Sequence, residues 1–289
     1  MYEINLPVSV SGPGSQPSEE DGTSLDILQL PDEMSTFAMP EMPEPDQLVC
    51  VEEGMSALAK LDGILQQLAK VKDVQSVFVD ITDLDKDNRT LVDQVLGEGE
   101  VSMVYRGSQS SASIQESVMA GIWRVRYFDE QGQLTSDTIE VASVPRLCHR
   151  NVFNHAAHRV ETHRESIPQG VLNAPPLLAE INDKVAEYRP GSESYVINLT
   201  LLPQTEEDLA FLIERLGKGP LTILSRGYGN CRISSTAVEN VWWVQYFNSQ
   251  DKNILNTLEI GGVPTVAAAA KEDIQDSAQR LDEIMDAYR

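Results

Sequence analysis

The amino-acid sequence predicts an α+β protein of two tandem repeats, each a mainly antiparallel sheet covered by helices, after a disordered acidic N-terminal tail. Three observations predict it. The first is internal repetition. Leu96-Gly97-Glu98-Gly99 returns as Leu216-Gly217-Lys218-Gly219, and Tyr105-Arg106-Gly107 returns as Ser225-Arg226-Gly227. Trp123-Arg124-Val125-Arg126-Tyr127-Phe128 returns as Trp242-Trp243-Val244-Gln245-Tyr246-Phe247, and the match runs ungapped to Val144-Pro145 and Val263-Pro264. Two copies of this length make a duplicated domain rather than a solenoid. The second observation is that helical stripes and short strands follow one order in both copies. The third is the length of 289 residues, enough for each copy to bury its own core.

Residues 1–48 form the tail. They hold ten acids, no Lys or Arg, and seven prolines. Such a stretch cannot bury enough surface to offset its ordering entropy. Two apolar islands, Leu25-Asp26-Ile27-Leu28-Gln29-Leu30 and Phe37-Ala38-Met39, either pack on the chain's own surface or dock a partner.

The first repeat is placed at 49–168. Leu58, Leu61, Ile64, Leu65 and Leu68 share a helical face, and Ser76 to Ile81 reads as a strand. Leu91, Val92, Val95 and Leu96 make a second helix that stops at Gly97. Four strands are expected near 100–106, 112–118, 121–128 and 134–141. After Pro145 a helix is expected over about 146–165, with Phe153, Ala156, Ala157 and Val160 inward. The second repeat, 169–289, follows the same order. Leu178, Ile181, Val185 and Tyr188 make its first helix stripe, and Tyr195 to Thr200 its first strand. Thr205 is the N-cap of a helix carrying Leu209, Leu212, Ile213 and Leu216, which ends at Gly217. Four more strands precede a last helix with Val266, Ala270, Ile274, Leu281 and Met285 inward.

Composition narrows the function. Twenty-two Lys and Arg stand against 45 Asp and Glu, a formal charge of −23, so the chain repels nucleic acid and anionic lipid. The excess acid serves either solubility or a basic partner. Three cysteines, Cys50, Cys148 and Cys231, with no Cys-x-x-Cys, argue against a disulfide framework and fit a reducing cytoplasm. No apolar run reaches the ~20 residues of a membrane span, so no membrane insertion is expected. The N-terminus lacks the pattern of a secretory signal.

Residues present in one copy only are the candidates for function. The loop Arg226-Gly227-Tyr228-Gly229-Asn230-Cys231-Arg232 is sharper than its counterpart Arg106 to Ser113. Arg226 occurs in both copies and is assigned a structural role first. Arg232 beside Cys231 could lower the thiol's pKa; the other reading is a tight hairpin with a packed thiol. On the repeated strand, Trp243 and Gln245 stand where the first copy has Arg124 and Arg126, which predicts an exposed face with Trp243 as an anchor. The other reading is that a helix or the tail covers this face in the second copy. Partner contacts are therefore expected from Arg226, Tyr228, Asn230, Cys231, Arg232, Trp243 and Gln245.

All four histidines fall between 149 and 163, but helical spacing makes neighbours of His155 and His158 only, too few ligands for a metal site. Asp83-Leu84-Asp85-Lys86-Asp87 lacks the glycine and the closing glutamate of a calcium loop and reads as an acidic helix start. No phosphate loop, Gly-x-Ser-x-Gly or His-Glu-x-x-His is present.

Over Leu224 to Arg232, Val241 to Asn248, Asn256-Thr257-Leu258-Glu259 and Val263-Pro264, the chain resembles the HupH/HyaF family of nickel–iron hydrogenase expression and formation proteins. The resemblance is strong from about 170 to the end and looser over Phe37 to Pro45 and the first repeat. It implies a cytoplasmic accessory chaperone rather than an enzyme, with no cofactor and no catalytic or metal residue. It implies as partners the immature iron–sulfur small subunit, which carries a twin-arginine signal and is handled before export, and other maturation proteins. The competing readings are a Cys231-dependent enzyme or redox carrier, and metal delivery through the His155 and His158 region.

Overall fold

One helix in each copy starts and stops where the sequence supplies caps. The computed structural model describes residues 51–70, 76–162, 167–227 and 229–288; the tail 1–48, Cys50, His163 and Tyr228 lie outside them. In chain order the first copy gives α1 (Glu52–Lys70), β1 (Val77–Asp80), α2 (Lys86–Leu96), β2 (Val101–Arg106), β3 (Ser111–Glu116), β4 (Ile122–Phe128), β5 (Leu134–Val141) and α3 (Arg146–Arg150). The second gives α4 (Ala174–Glu187), β6 (Tyr195–Asn198), a 3-10 turn (Leu199–Leu201), α5 (Glu206–Leu216), β7 (Leu221–Ser225), β8 (Asn230–Ser235), β9 (Val241–Phe247), β10 (Asn253–Ile260), a second 3-10 turn (Thr265–Ala267) and α6 (Lys271–Ala287).

The caps repeat with the sequence. Asp85 caps α2 by accepting from Asn88 N, so the acidic run is a helix start as expected. Thr205 and Asp208 make a reciprocal capping box on α5. Gly97 and Gly217 end the two helices at φ 55° and 62°, a left-handed backbone that glycine adopts without steric cost. Asn88 and Asp208, equivalent residues, each reach back to the preceding helix. Asn88 Oδ1 accepts from Gly54 N at 2.7 Å. Asp208 Oδ1 accepts from Leu172, Asn173 and Ala174 N at 2.9, 2.8 and 2.9 Å. Burial would raise the Asp208 pKa, but the N–H groups aimed at it hold it below the usual carboxylate value.

Among the described residues ten strands form one sheet, in the order β1-β5-β4-β3-β2-β7-β8-β9-β10-β6, antiparallel throughout. This corrects the expectation of a separate sheet in each repeat. The two copies join edge to edge through β2 and β7, where Met103 faces its own equivalent, Ile223. A pseudo-twofold axis therefore passes through the middle of the sheet. Joining the copies here hides two strand edges that separate sheets would leave open. Trp123 and Trp242 occupy equivalent sites, 0% and 1% exposed, and their indole N–H groups donate to the equivalent carbonyls of Ala142 and Gly261.

Helices α1, α2 and α6 cover one end of one face with Leu58, Leu61, Leu65, Val95, Ile274 and Leu281. Helices α4 and α5 cover the other end of that face with Leu178, Ile181, Leu212 and Leu216. The opposite face carries Trp123, Trp242, Met103, Ile223 and Ile233 and is closed by α3 and the segment around Val263–Ala268.

The last helix thus packs on the first copy, not on its own. Ala269 N bonds Ser143 O, Ala120 N bonds Ser277 Oγ, and Gln66 Nε2 bonds Ala278 O. The first copy returns the exchange. Ala157 bridges Val238, and Val160 lies in the core of the second copy, held on both backbone polar groups by Asn182. The helix expected over 146–165 consequently stops at Arg150. Asn151, Val152, Phe153, Asn154 and His155 are poor helix formers, and the chain is instead drawn across the seam. The last helix begins only at Lys271; Val266 sits in the 3-10 turn and Ala270 is the helix N-cap.

Candidate functional site

Two clefts flank the β2–β7 seam at its opposite ends, built from equivalent backbone. The first, of about 710 Å³, is lined by Tyr105, Gly107, Gly219, Pro220 and Thr236 together with Arg106, Lys218 and His155. The second, of about 450 Å³, is lined by Gly99, Glu100, Ser117, Ser225 and Gly227, with Glu116 and, from α6, Asp273, Asp276 and Arg280. Among the described residues no carboxylate lines the first cleft, whereas four line the second. The fold dictates the shape of both, and the residues that differ between the copies set opposite charge.

The second cleft is the candidate site. Ser225 and Gly227, where the loop from Arg226 to Arg232 begins, form part of its wall, while Gly229, Asn230, Cys231 and Arg232 do not line it. Arg226 N donates to Glu100 O at 3.1 Å, as Arg106 N donates to Pro220 O at 2.8 Å, so both arginines extend the central ladder through their backbones. A Cβ on Gly227 would lie 2.5 Å from Glu100 Oε2; the loop can approach the carboxylate because that position is glycine. Glu116 stands where the second copy has Ser235. Burial first, and then the neighbouring Glu100 charge, push its pKa up to about 8, so it is largely protonated at neutral pH. A cation entering the cleft favours ionised Glu116, which makes binding release a proton.

The remaining expected residues are placed less favourably. Trp243 is 2% exposed and packs into the core of the second copy, its N–H donating to Asn256 Oδ1 at 2.5 Å. It is not the exposed anchor that its pairing with Arg124 predicted. Arg124 is itself held inside, bidentate to Asp137 (2.9 and 2.7 Å) and paired with Asp93 on α2. Both positions lie under a helix, and each copy solves burial differently. Gln245 is also buried. Cys231 is 0% exposed; burial raises its pKa to about 12, against a hydrogen bond with Tyr246. Arg232 does not lower it. Adjacent strand residues point to opposite faces, and Arg232 stacks 4.2 Å over Phe247 and lies 3.6 Å from Asp251. Asn230 and Arg226 are partly exposed at the loop's two ends.

The described histidines form no cluster. His155 and His158 leave the predicted helix, and His158 Nδ1 lies 2.6 Å from Glu239 Oε2. Among the described residues no group of three or more His, Cys, Asp or Glu could hold a metal ion, and no helix is long and apolar enough to cross a membrane. The acidic members from α6 were missed by sequence reasoning. The signal was present in Asp273 and Asp276 on the helix's polar side, but nothing in the sequence says that α6 crosses to the first copy.

The family model described as "HupH hydrogenase expression protein, C-terminal conserved region" matches twice, at 54–165 and 171–288. The chain is 44% identical over 286 residues to the hydrogenase expression/formation protein HoxQ of Cupriavidus necator, covering 99% of this chain and 98% of that one. It is 42% identical over 289 residues to the hydrogenase expression/formation protein HupH of Rhodobacter capsulatus, covering 100% of both. It is 31% identical over 284 residues to the hydrogenase-1 operon protein HyaF of Escherichia coli, covering 94% and 93%. With both repeats matched and relatives aligned end to end, the chain belongs to the HupH family of hydrogenase expression/formation proteins.

Proposed function

We propose that this protein is an accessory chaperone or scaffold in nickel–iron hydrogenase maturation, holding the immature iron–sulfur small subunit in the cytoplasm before export. The observation that carries the reading is the acidic cleft at the seam. Four carboxyls, one of them buried and protonated, face the loop from Ser225 to Gly227. Such a cleft suits a lysine or arginine side chain on a client segment, and the formal charge of −23 draws that segment in from a distance. Arg226, Tyr228, Asn230 and Arg232 remain the proposed contacts on the loop; Cys231, Trp243 and Gln245 act through the core. The relatives' names as expression/formation proteins support the pathway. The rival reading of a Cys231 nucleophile lacks support, because a thiol raised to about 12 by burial supplies almost no thiolate at neutral pH.

The test is co-purification with separately expressed small and large hydrogenase subunits. A stoichiometric complex is expected with the small subunit, weakened at least about tenfold, or ~1.4 kcal/mol, by Glu100→Lys with Asp276→Lys. A complex with the large subunit alone, or one indifferent to the double charge reversal, would overturn the proposal.

A further inference from the structure

The two copies differ at a second place, the outer edge of the second half. Strand β6 is an edge strand of the sheet. Around it stand Tyr195 (40% exposed), Val196 (52%), Leu201 (80%), Leu202 (37%), Ile254 (56%) and Leu172 (72%). Hydrogen bonds tie the flanking turns to one another. Thr200 Oγ1 accepts from Asn256 N at 2.8 Å, joining the 3-10 turn to the start of β10 beside Ile254. Asn173 Nδ2 donates to Pro203 O at 2.6 Å, joining the Leu172 turn to the segment after Leu202.

The fold does not require this apolar surface. In the first copy the residue equivalent to Leu172 is Glu52, and the one equivalent to Ile254 is Thr135. The connection from β1 to α2 carries Thr82 and Asp83 and is two residues shorter than the connection holding Leu201 and Leu202. Exposed leucines and isoleucine beside an open strand edge are a template for strand addition or apolar docking. The first copy's edge strand β1 also exposes Val77 (39%) and Phe78 (57%), the counterparts of Tyr195 and Val196, with Leu134 (42%) nearby, so what sets the second copy apart is the flanking Leu172, Leu201, Leu202 and Ile254.

We infer that the β6 edge is a docking strip for an extended, apolar, lysine- or arginine-bearing segment of a partner protein, added alongside β6. Charge selects this occupant. At −23 a second copy of the chain is repelled, and an acidic segment is repelled in the same way. Glu180, Glu187 and Glu193 lie next to or within the strand's approach, with Lys184 turned onto the Tyr195 ring at 4.9 Å and paired with Glu187. The inference rests on the reading of the protein as a client binder, but it uses a surface separate from the cleft.

The test uses the full chain and two fluorescent ten-residue peptides, one alternating Val with Lys and one alternating Val with Glu. The variant is Leu201→Asp with Ile254→Thr, which installs polar side chains of the kind the first copy already carries there. The Val–Lys peptide should bind the wild type, and the variant about tenfold or more weakly, while the Val–Glu peptide binds neither. The added Asp makes the surface more acidic, so attraction by charge alone predicts equal or tighter binding to the variant, and that result would overturn the inference. Absence of Val–Lys binding to the wild type would overturn it too. A concentration-dependent dimer abolished by the variant would make a second copy the occupant, and competition by a peptide of residues 20–42 would make it the chain's own N-terminal segment. Either outcome rejects a foreign partner. Because the probe is a synthetic peptide, its failure is distinct from failure of the small-subunit complex.

Discussion

The two clefts beside the β2–β7 seam share a backbone and differ in charge. One has Pro220 where the other has Glu100, only the second has a carboxylate from β3, Glu116, and one is closed by a polar turn carrying His155 where the other is closed by α6 with its acids. The comparison teaches that duplication supplied a symmetric frame and that divergence altered both the cleft linings and some buried positions beneath the helices. Trp123 and Trp242, Gly97 and Gly217, and Asn88 and Asp208 do the same work in both copies. Glu116 has an uncharged serine as its equivalent, and Leu201 lies in a connection two residues longer than its counterpart. A pair of copies is thus its own control, provided that buried differences such as Trp243 against Arg124 are separated from exposed ones.

The largest expected effect breaks the comparison at its core. Trp242→Ala and Trp123→Ala should each lower folding stability by about 3–5 kcal/mol, measured by urea unfolding. Trp243→Ala should cost a similar amount, since that side chain is equally buried. A near-neutral Trp243→Ala would return it to the surface and restore the anchor reading.

Next in size is a pH effect confined to one cleft. Glu116 titrates near 8 when folded against 4.5 in the unfolded chain. A carboxyl with a raised folded pKa contributes stability that is full below about pH 4.5 and lost as pH rises toward 8. Glu116→Gln should therefore gain on the wild type between pH 5 and 8, by on the order of a few kcal/mol at the upper end. Asp208 runs the other way. Its pKa is lowered, so its contribution is present above about 3.8 and fades as pH falls below that. Asp208→Ala should flatten the acid limb of the stability curve, and an unchanged limb would show that its four backbone bonds carry little.

The exchange of segments predicts a smaller change. Ser277→Ala removes the bond to Ala120 N and should cost ~1 kcal/mol. The loss should appear as faster amide exchange in α1 of the first copy, not only in α6; exchange altered in the second copy alone would contradict the crossing. Smallest of all is Cys231→Ser. It should leave the small-subunit complex intact within about twofold, and native Cys231 should resist alkylation as read by mass spectrometry. Rapid alkylation in the folded protein would revive the redox alternative.

Much of this was legible in the residues. The duplication, the strand pairs, Thr205 and Gly217 as caps, and the buried tryptophans follow from local chemistry and from comparison of one copy with the other. The packed-thiol reading of Cys231 was one the sequence left open, whereas Trp243 was expected at the surface and is buried. Alternation along a strand says which residues share a face; it does not say whether a helix lies over that face. The sequence by itself therefore determined the elements, their order and the charge. Tertiary structure alone decided that the two sheets are one, that α6 serves the first copy and the 151–160 segment the second, and that Glu100, Glu116, Asp273 and Asp276 meet. Those outcomes depend on contacts between the two copies, from about twenty to more than two hundred positions apart, where edge pairing and burial of apolar stripes choose among partners that local pattern leaves equivalent.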